Sequence, residues 1–418
     1  MLMLRVLLIV GDGMADRPVK ELGNKTPLEV ASKPNINYLA SKSILGIWDP
    51  IGPGVRPGSD TSHLSLFGYE PKRYYPGRGP FEALGVGADI KPGDIALRGN
   101  FASVDDNLVV QDRRAGRTLP ENEELVKYLN NNIGFINDVE VRFYSATEHR
   151  VAVVLRGIGL SSDVSDTDPH ATGVKVLESK ALTNDENAIK TANVINMLTL
   201  MTYKLLKDHP LNKSRIERGL PPANIILLRG AGSMIYIPKL QEREDIILDK
   251  CLAVSATAMI KGVCRLVGFE VVTPSRATGG LDTDIMSKAE EVLRAYRNGY
   301  DFIYLHVKGT DAASHDGNIG AKVRMIEELD KAVGYIVSNI DLTTTVIAIT
   351  SDHATPLSVK DHTGDPVPVM IYSPELVGDD ITEFSERSAR KGSLGRLRGN
   401  DLMYTLLDYA NRVRKFGA

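Results

Sequence analysis

The chain has 418 residues, 43% of them hydrophobic, and a net charge of −3. That length exceeds one ordinary core and points to two domains, and the slight acidic balance excludes a nucleic-acid binder, which would carry a basic excess. Only Cys251 and Cys264 are present, so there is no disulfide framework and a reducing compartment fits.

Residues 4–10 form an apolar, branched run ended by Gly11-Asp12-Gly13, which reads as a buried strand and a tight turn. The start has no basic n-region and no small-residue cleavage site, and no segment reaches the roughly 18 apolar residues of a membrane helix. The expectation is a cytoplasmic protein that contacts neither membrane nor nucleic acid. Next comes Pro57-Gly58-Ser59-Asp60-Thr61-Ser62-His63, where Ser59 or Asp60 reads as the N-cap of a helix through Leu66. A helix start also offers free N–H groups to a phosphate. A serine hydroxyl held there by a divalent ion would lose its proton readily and attack phosphorus.

From about residue 76 to 235 the texture changes to Gly-rich turns, Asp-rich loops such as 161–170 and strands such as 151–155. This reads as an α/β or α+β domain inserted into a first domain made of residues 1–75 and 236–418. Within it, Arg113, Arg114 and Arg117 flank Gly116. They are either a solvated basic loop or guanidinium forks for a carboxylate and a phosphate. Arg150 and Arg229 are further candidates of the same kind.

Beyond the insertion, the runs 302–307 and 345–350 read as buried strands like the first, and 225–228 has the same apolar texture. The run 367–372 carries Pro368, which suits an edge strand or a strand's first residues. Residues 322–339 place Val323, Ile326, Leu329, Val333 and Ile336 on one helical stripe, and 287–298 and 402–416 look helical too. Strands alternating with helices predict a mostly parallel sheet covered on both faces. In such sheets the functional groups lie past the carboxyl ends of the strands. Asp12 follows the first strand, Asp311 and His315 follow 302–307, and Asp352-His353 follow 345–350, with His362 nine residues on. Three distant pieces of chain thus converge on one sheet edge. Asp311 and His315, one helical turn apart, can share an ion or form a salt bridge. Mixed Asp and His donors favour zinc or manganese over calcium, with magnesium still open.

Together Asp12, the Ser59 segment, Asp311-x3-His315, Asp352-His353 and His362 resemble the alkaline phosphatase superfamily. Within it, residues 11–16, 57–69, Asn100-Phe101-Ala102 and 112–117 are most similar to the cofactor-independent phosphoglycerate mutases of archaeal type. The resemblance runs through nearly the whole chain. It implies an alkaline-phosphatase-like, mostly parallel sheet with helices on both faces plus an inserted substrate domain. It further implies two divalent ions, manganese first with magnesium, zinc or cobalt as alternatives, and no 2,3-bisphosphoglycerate. Asp311, His315 and His362 would hold one ion; Asp12, Ser59, Asp352 and His353 the other. Ser59 would become phosphoserine, Lys261 would contact the phosphoryl group, and Asp168 is the nearest match to the family's base. Arg113, Arg114, Arg117, Arg150, His170 and Arg229 would bind 3-phosphoglycerate or 2-phosphoglycerate. The inserted domain would close over the metal site on hinges near residues 75 and 235, keeping water off the phosphoserine. The chain would act as a monomer or homo-oligomer. The competing readings are a metal-dependent phosphomonoesterase, another phosphomutase of the superfamily, and a non-catalytic metal or phosphometabolite binder; the intact Ser59 argues against the last.

Overall fold

A computed structural model describes residues 2–417, and these divide into two compact units: Met1–Tyr75 with Ile237–Ala418, and Pro76–Tyr236. In chain order the strands begin with β1 (Arg5–Gly11) and β2 (Ile44–Asp49) of the first unit. The second unit contributes β3 (Ile95–Val104), β4 (Val110–Asp112), β5 (Phe135–Ile136), β6 (Val139–Ser145), β7 (Arg150–Arg156) and β8 (Ile225–Ser233). The first unit resumes with β9 (Cys251–Val254), β10 (Glu270–Val272), β11 (Phe302–Val307), β12 (Thr345–Thr350), β13 (Val367–Tyr372) and β14 (Gly395–Arg398).

The first unit is an eight-stranded sheet in the order β10-β9-β11-β1-β12-β13-β2-β14. The strands β10, β9, β11, β1 and β12 are mutually parallel, while β13 runs antiparallel to both β12 and β2. Strand β1 sits at the centre and is buried along nearly its whole length, because both faces are covered. Leu7, Ile9, Ile303, Leu305, Ile347 and Ile349 pack on one face against Val292 of the helix Ile285–Arg297 and Ile326, Leu329 and Val333 of the helix Ile319–Val337. The alternate residues Phe302 and Tyr304 face the other way and meet Phe269 and Phe67, the latter just past the helix Ser59–Leu66. The period of two along the strands and 3.6 along the helices fixes both layers.

Two local expectations resolve and one changes. β13 lies inside the sheet between β12 and β2 rather than at its edge, and Pro368, its second residue, is tolerated at the strand's start. The run 225–228 belongs to the second unit's sheet and pairs antiparallel with β3. The last helix is Asp401–Tyr409, not 402–416. Asn411 turns left-handed at φ 57°, and Arg412 is buried with its guanidinium on Leu4 O, Ile247 O and Asp301.

The second unit is an antiparallel sheet, β4-β3-β7-β6-β5, with β8 also on β3. The helices Asn122–Asn132 and Glu186–Leu206 cover one face through Leu125, Leu129, Ile195 and Leu198. The helix Arg78–Gly85 lies on β3 so closely that a Cβ on Gly79 would meet the Ala96 carbonyl carbon at 2.6 Å. The unit's two ends adjoin: a Cβ on Gly77 would lie 2.8 Å from Gly232 Cα.

Candidate active site

In the first unit, the loops after β1, β11 and β12 and the start of the helix Ser59–Leu66 bring their side chains together. Gly13 takes φ +60°, and a Cβ there would stand 2.7 Å from Asp311 Oδ1, so only glycine turns the chain this tightly. Asp352 Oδ1 accepts from Gly13 N and His353 N, both at 3.1 Å, tying the first loop to the third. Gly58 is the N-cap and Ser59 the first helical residue, so the helix starts at least one residue earlier than the sequence suggests. Ser59 is nearly buried and its Oγ lies 3.1 Å from His353 Nε2.

Among the described residues, two groups have ligand atoms within 4.8 Å of one another: Asp12, Asp352 and His353, and Asp311, His353 and His362. His353 belongs to both; its Nε2 is 3.2 Å from Asp352 Oδ2 and 3.5 Å from Asp12 Oδ1, and its ring stacks on His362 at 3.6 Å. His315 stands beside the second group, Nε2 3.4 Å from Asp311 Oδ2, on the helix Gly309–His315.

The imidazoles are set for cation binding by what holds their other nitrogens. His315 Nδ1 donates to Lys360 O at 2.8 Å and His362 Nδ1 to Pro57 O at 2.9 Å. Thr355 Oγ1 donates to Asp311 Oδ1 at 2.8 Å, so it accepts from His353 Nδ1–H at 3.0 Å. Each ring therefore turns Nε2 toward the carboxylates. Burial keeps His353 neutral by lowering its pKa well below the usual value, against the pull of Asp12. Its Nε2 lone pair thus faces carboxylate oxygens, a repulsive arrangement that a cation relieves. Asp352 Oδ2 is buried with no hydrogen-bond partner, and burial, then the Asp12 charge, pushes its pKa well up. This donor set fits divalent ions.

Around the ligands, His306 Nε2 holds Asp12 Oδ2 at 2.9 Å. His63 is fully buried: its Nδ1–H donates to Ser59 O at 2.6 Å and its Nε2 accepts from Tyr304 OH at 2.6 Å. Burial, with the His306 charge next, drives its pKa down to about 3, so the neutral ring fixes the first turn beneath Ser59. Lys308 Nζ contacts Asp311 Oδ2 at 2.6 Å and Asp12 Oδ2 at 3.2 Å. Burial, the largest influence, would raise the Asp12 pKa; the Lys308 ammonium and the His306 contact together outweigh it and hold that carboxyl ionised. Lys322, fully buried, bonds Asp16 Oδ2 at 2.8 Å and Thr355 O at 3.0 Å, clamping the first loop to the third. Lys261 is half-buried on the helix Ala258–Leu266; among the described residues no hydrogen bond or ion pair ties it to Ser59 or the carboxylates.

In the second unit, Arg98, Arg113, Arg114, Arg117, Arg150 and Arg229, with Asn100 and His149, line a cavity of about 240 Å³. Asp112 accepts from Arg114 N and Gly116 N and shapes the loop, in which Ala115 and Arg117 take φ 46° and 69°. Asp168 is buried and grips Arg113 through Nε at 2.9 Å and Nη2 at 2.7 Å, with Arg229 4.0 Å away. Burial would raise the Asp168 pKa, but the Arg113 fork and His170 N–H hold it below its ordinary value. Burial, partly offset by Glu82, pushes Arg98 down to about 10, and the Nε atoms of Arg98, Arg150 and Arg229 are buried without a partner. Cations crowded at this cost need anions. His170 touches Arg113 through Nδ1 at 3.1 Å but is exposed and not part of the lining.

The sequence expectation omitted Lys308, Arg98, Asn100 and His149. Arg98 breaks an apolar strand beside Gly99, and Lys308 follows a buried strand three residues before Asp311; those interruptions were the available signals. No helix among the described residues is long and apolar enough to cross a membrane.

A family model for 2,3-bisphosphoglycerate-independent phosphoglycerate mutase matches residues 40–212. Proteins of that name from Ignicoccus hospitalis and Saccharolobus solfataricus are 57% and 52% identical to this chain, each over 99% of both chains. A solved protein of Pyrococcus horikoshii is 39% identical, with TM-score 0.84 and full coverage of both chains. The cofactor-independent phosphoglycerate mutase of Thermoplasma acidophilum is 37% identical, with TM-score 0.73 over 98% of this chain and 100% of that one.

Proposed function

This chain belongs to the 2,3-bisphosphoglycerate-independent phosphoglycerate mutases, isomerases that interconvert 3-phosphoglycerate and 2-phosphoglycerate, and we propose that it moves the phosphoryl group through Ser59. The observation that carries the reading is Ser59 Oγ, 3.1 Å from the imidazole shared by two groups of Asp and His ligands. Asp12, Ser59, Asp352 and His353 would hold one divalent ion, and Asp311, His315 and His362 the other, with manganese the leading candidate. Such ions supply charge stabilisation for the transferring phosphoryl group and lower the pKa of the serine hydroxyl.

The chain's own residues do the rest. His353 Nε2 lies 3.1 Å from Ser59 Oγ, so the imidazole and the hydroxyl stand where both would serve the same ion. His63 pins the Ser59 carbonyl, and His306 orients Asp12. In the first step the Ser59 Oγ–P bond forms as the bond from phosphorus to the C3 oxygen breaks, and the serine's proton ends on that oxygen. Glycerate turns; its 2-hydroxyl oxygen then bonds phosphorus, Ser59 Oγ leaves, and the hydroxyl proton returns to it. Lys261 is assigned no contact to the phosphoryl group by any of these distances and keeps that role only by resemblance.

The arginine cavity is the proposed binding surface for the substrate's carboxylate and phosphate. Guanidiniums give bidentate contacts to both, and three unpartnered buried Nε atoms support the assignment. Asp168 is reassigned from base to anchor. A base for neutral pH needs a pKa near the working pH, whereas this carboxyl is held low in the Arg113 fork. The test loads the purified chain with Mn²⁺ and 3-phosphoglycerate, without bisphosphoglycerate, and follows 2-phosphoglycerate and free phosphate together. Isomerisation with little phosphate release, lost in Ser59→Ala, is expected. Phosphate release without isomerisation would make the chain a phosphatase.

A further inference from the structure

We propose that Lys308 is a built-in competitor cation, a positioning residue that preforms both ligand groups in the metal-free chain and is displaced when divalent ions bind. The inference rests on the metal reading above. Asp12 belongs to one group and Asp311 to the other, and the Lys308 ammonium bridges them, 2.6 Å from Asp311 Oδ2 and 3.2–3.3 Å from both Asp12 oxygens. The other oxygens each carry a hydrogen bond of their own. Thr355 holds Asp311 Oδ1 and His306 holds Asp12 Oδ2. An ion drawn to Asp311 Oδ2 or Asp12 Oδ1 therefore meets the Lys308 ammonium already there.

Charge makes the role intelligible. Two buried carboxylates, Asp12 and Asp311, share one contacting ammonium, and beside them Asp352 Oδ2 has no hydrogen-bond partner. One ammonium prevents collapse of the pair it touches but does not neutralise the set, so ions still bind. Lys308 precedes the helix Gly309–His315, so its backbone cannot retreat far from the site. Its side chain retains 21% exposure, which gives the ammonium a path to solvent once displaced.

The full-length chain, stripped with chelator, is titrated with Mn²⁺ by calorimetry, and the unfolding temperature of the metal-free form is recorded. In Lys308→Met the metal-free form is expected to melt earlier while Mn²⁺ binds at least about tenfold tighter, because no ammonium opposes the ion. Lys308→Arg, which keeps the charge, is expected to bind near the wild-type affinity. A residue that merely supports the fold would lower both quantities, so weaker or unchanged Mn²⁺ binding in Lys308→Met overturns the proposal. A wild-type chain that binds no Mn²⁺ overturns the metal reading as well, which separates the two failures.

Discussion

Removing the Thr355 hydroxyl tests whether the ligand geometry is held from behind. In Thr355→Val the shape is kept, but His353 Nδ1–H loses its acceptor and Asp311 Oδ1 loses its donor. A hydrogen bond to a charged carboxylate contributes roughly 1.5–3 kcal/mol and a neutral one roughly 1 kcal/mol. Thr355 is fully buried, so water does not replace either. Both losses fall on ligands of the second group, so about 3 kcal/mol becomes about a hundredfold weaker ion binding, at the upper end of the roughly 10–100-fold typical of partners behind metal ligands. Calorimetric titration of Mn²⁺ into stripped protein reads the affinity, and activity across the same titration should recover at high Mn²⁺. Thr355→Ser should restore both. An affinity within about twofold of wild type would refute the argument that this hydroxyl fixes the His353 tautomer.

Arg98→Met should raise KM for 3-phosphoglycerate by about 10–100-fold with a smaller change in kcat, since it removes binding common to ground and transition states; an unchanged KM removes Arg98 from the site. The Asp168–Arg113 pair predicts an acid limb in stability. Because the folded pKa of Asp168 lies below its unfolded value, the pair stabilises fully above about pH 4 and is lost as pH falls through the folded pKa. Thermal melts of Asp168→Asn should lose that part of the slope, and an identical acid limb would refute it. Gly79→Ala should destabilise the second unit by about 2 kcal/mol or more, because backbone rather than a flexible side chain blocks the new methyl; an unchanged melting temperature would contradict the packing.

The parallel core was legible because β1, β11 and β12 are largely apolar runs free of internal turn residues, and such runs mean strands buried on both faces. Apolar texture carries no direction, so 225–228 looked like its parallel counterparts while belonging to an antiparallel sheet. Residues past strand ends could be grouped by topology alone, which is how Asp12, Asp311 and Asp352 were linked. The sharing of His353 between two groups depends on its rotamer and on Thr355, and spacing does not encode that. Arg98 and Asn100 were missed because a polar residue inside a strand ordinarily reads as solvent-facing; here β3 is flanked by β7 and β8, and its polar residues line a cavity instead.

The position of β1 has a consequence for how the polypeptide folds as it is made. Val6 pairs with Phe302 and Val346, so the first strand synthesised waits for partners made near the end. Pro76–Tyr236, by contrast, is continuous and can fold while the remainder is still emerging. Once it has done so, its adjoining ends turn a loop of well over a hundred residues into a short bridge between Tyr75 and Ile237. Loop-closure entropy rises with length, so folding of the insertion lowers the entropic barrier to assembling the discontinuous sheet. The guest domain would then set the pace for its host: a lesion such as Gly79→Ala would slow formation of a metal site to which it contributes no ligand.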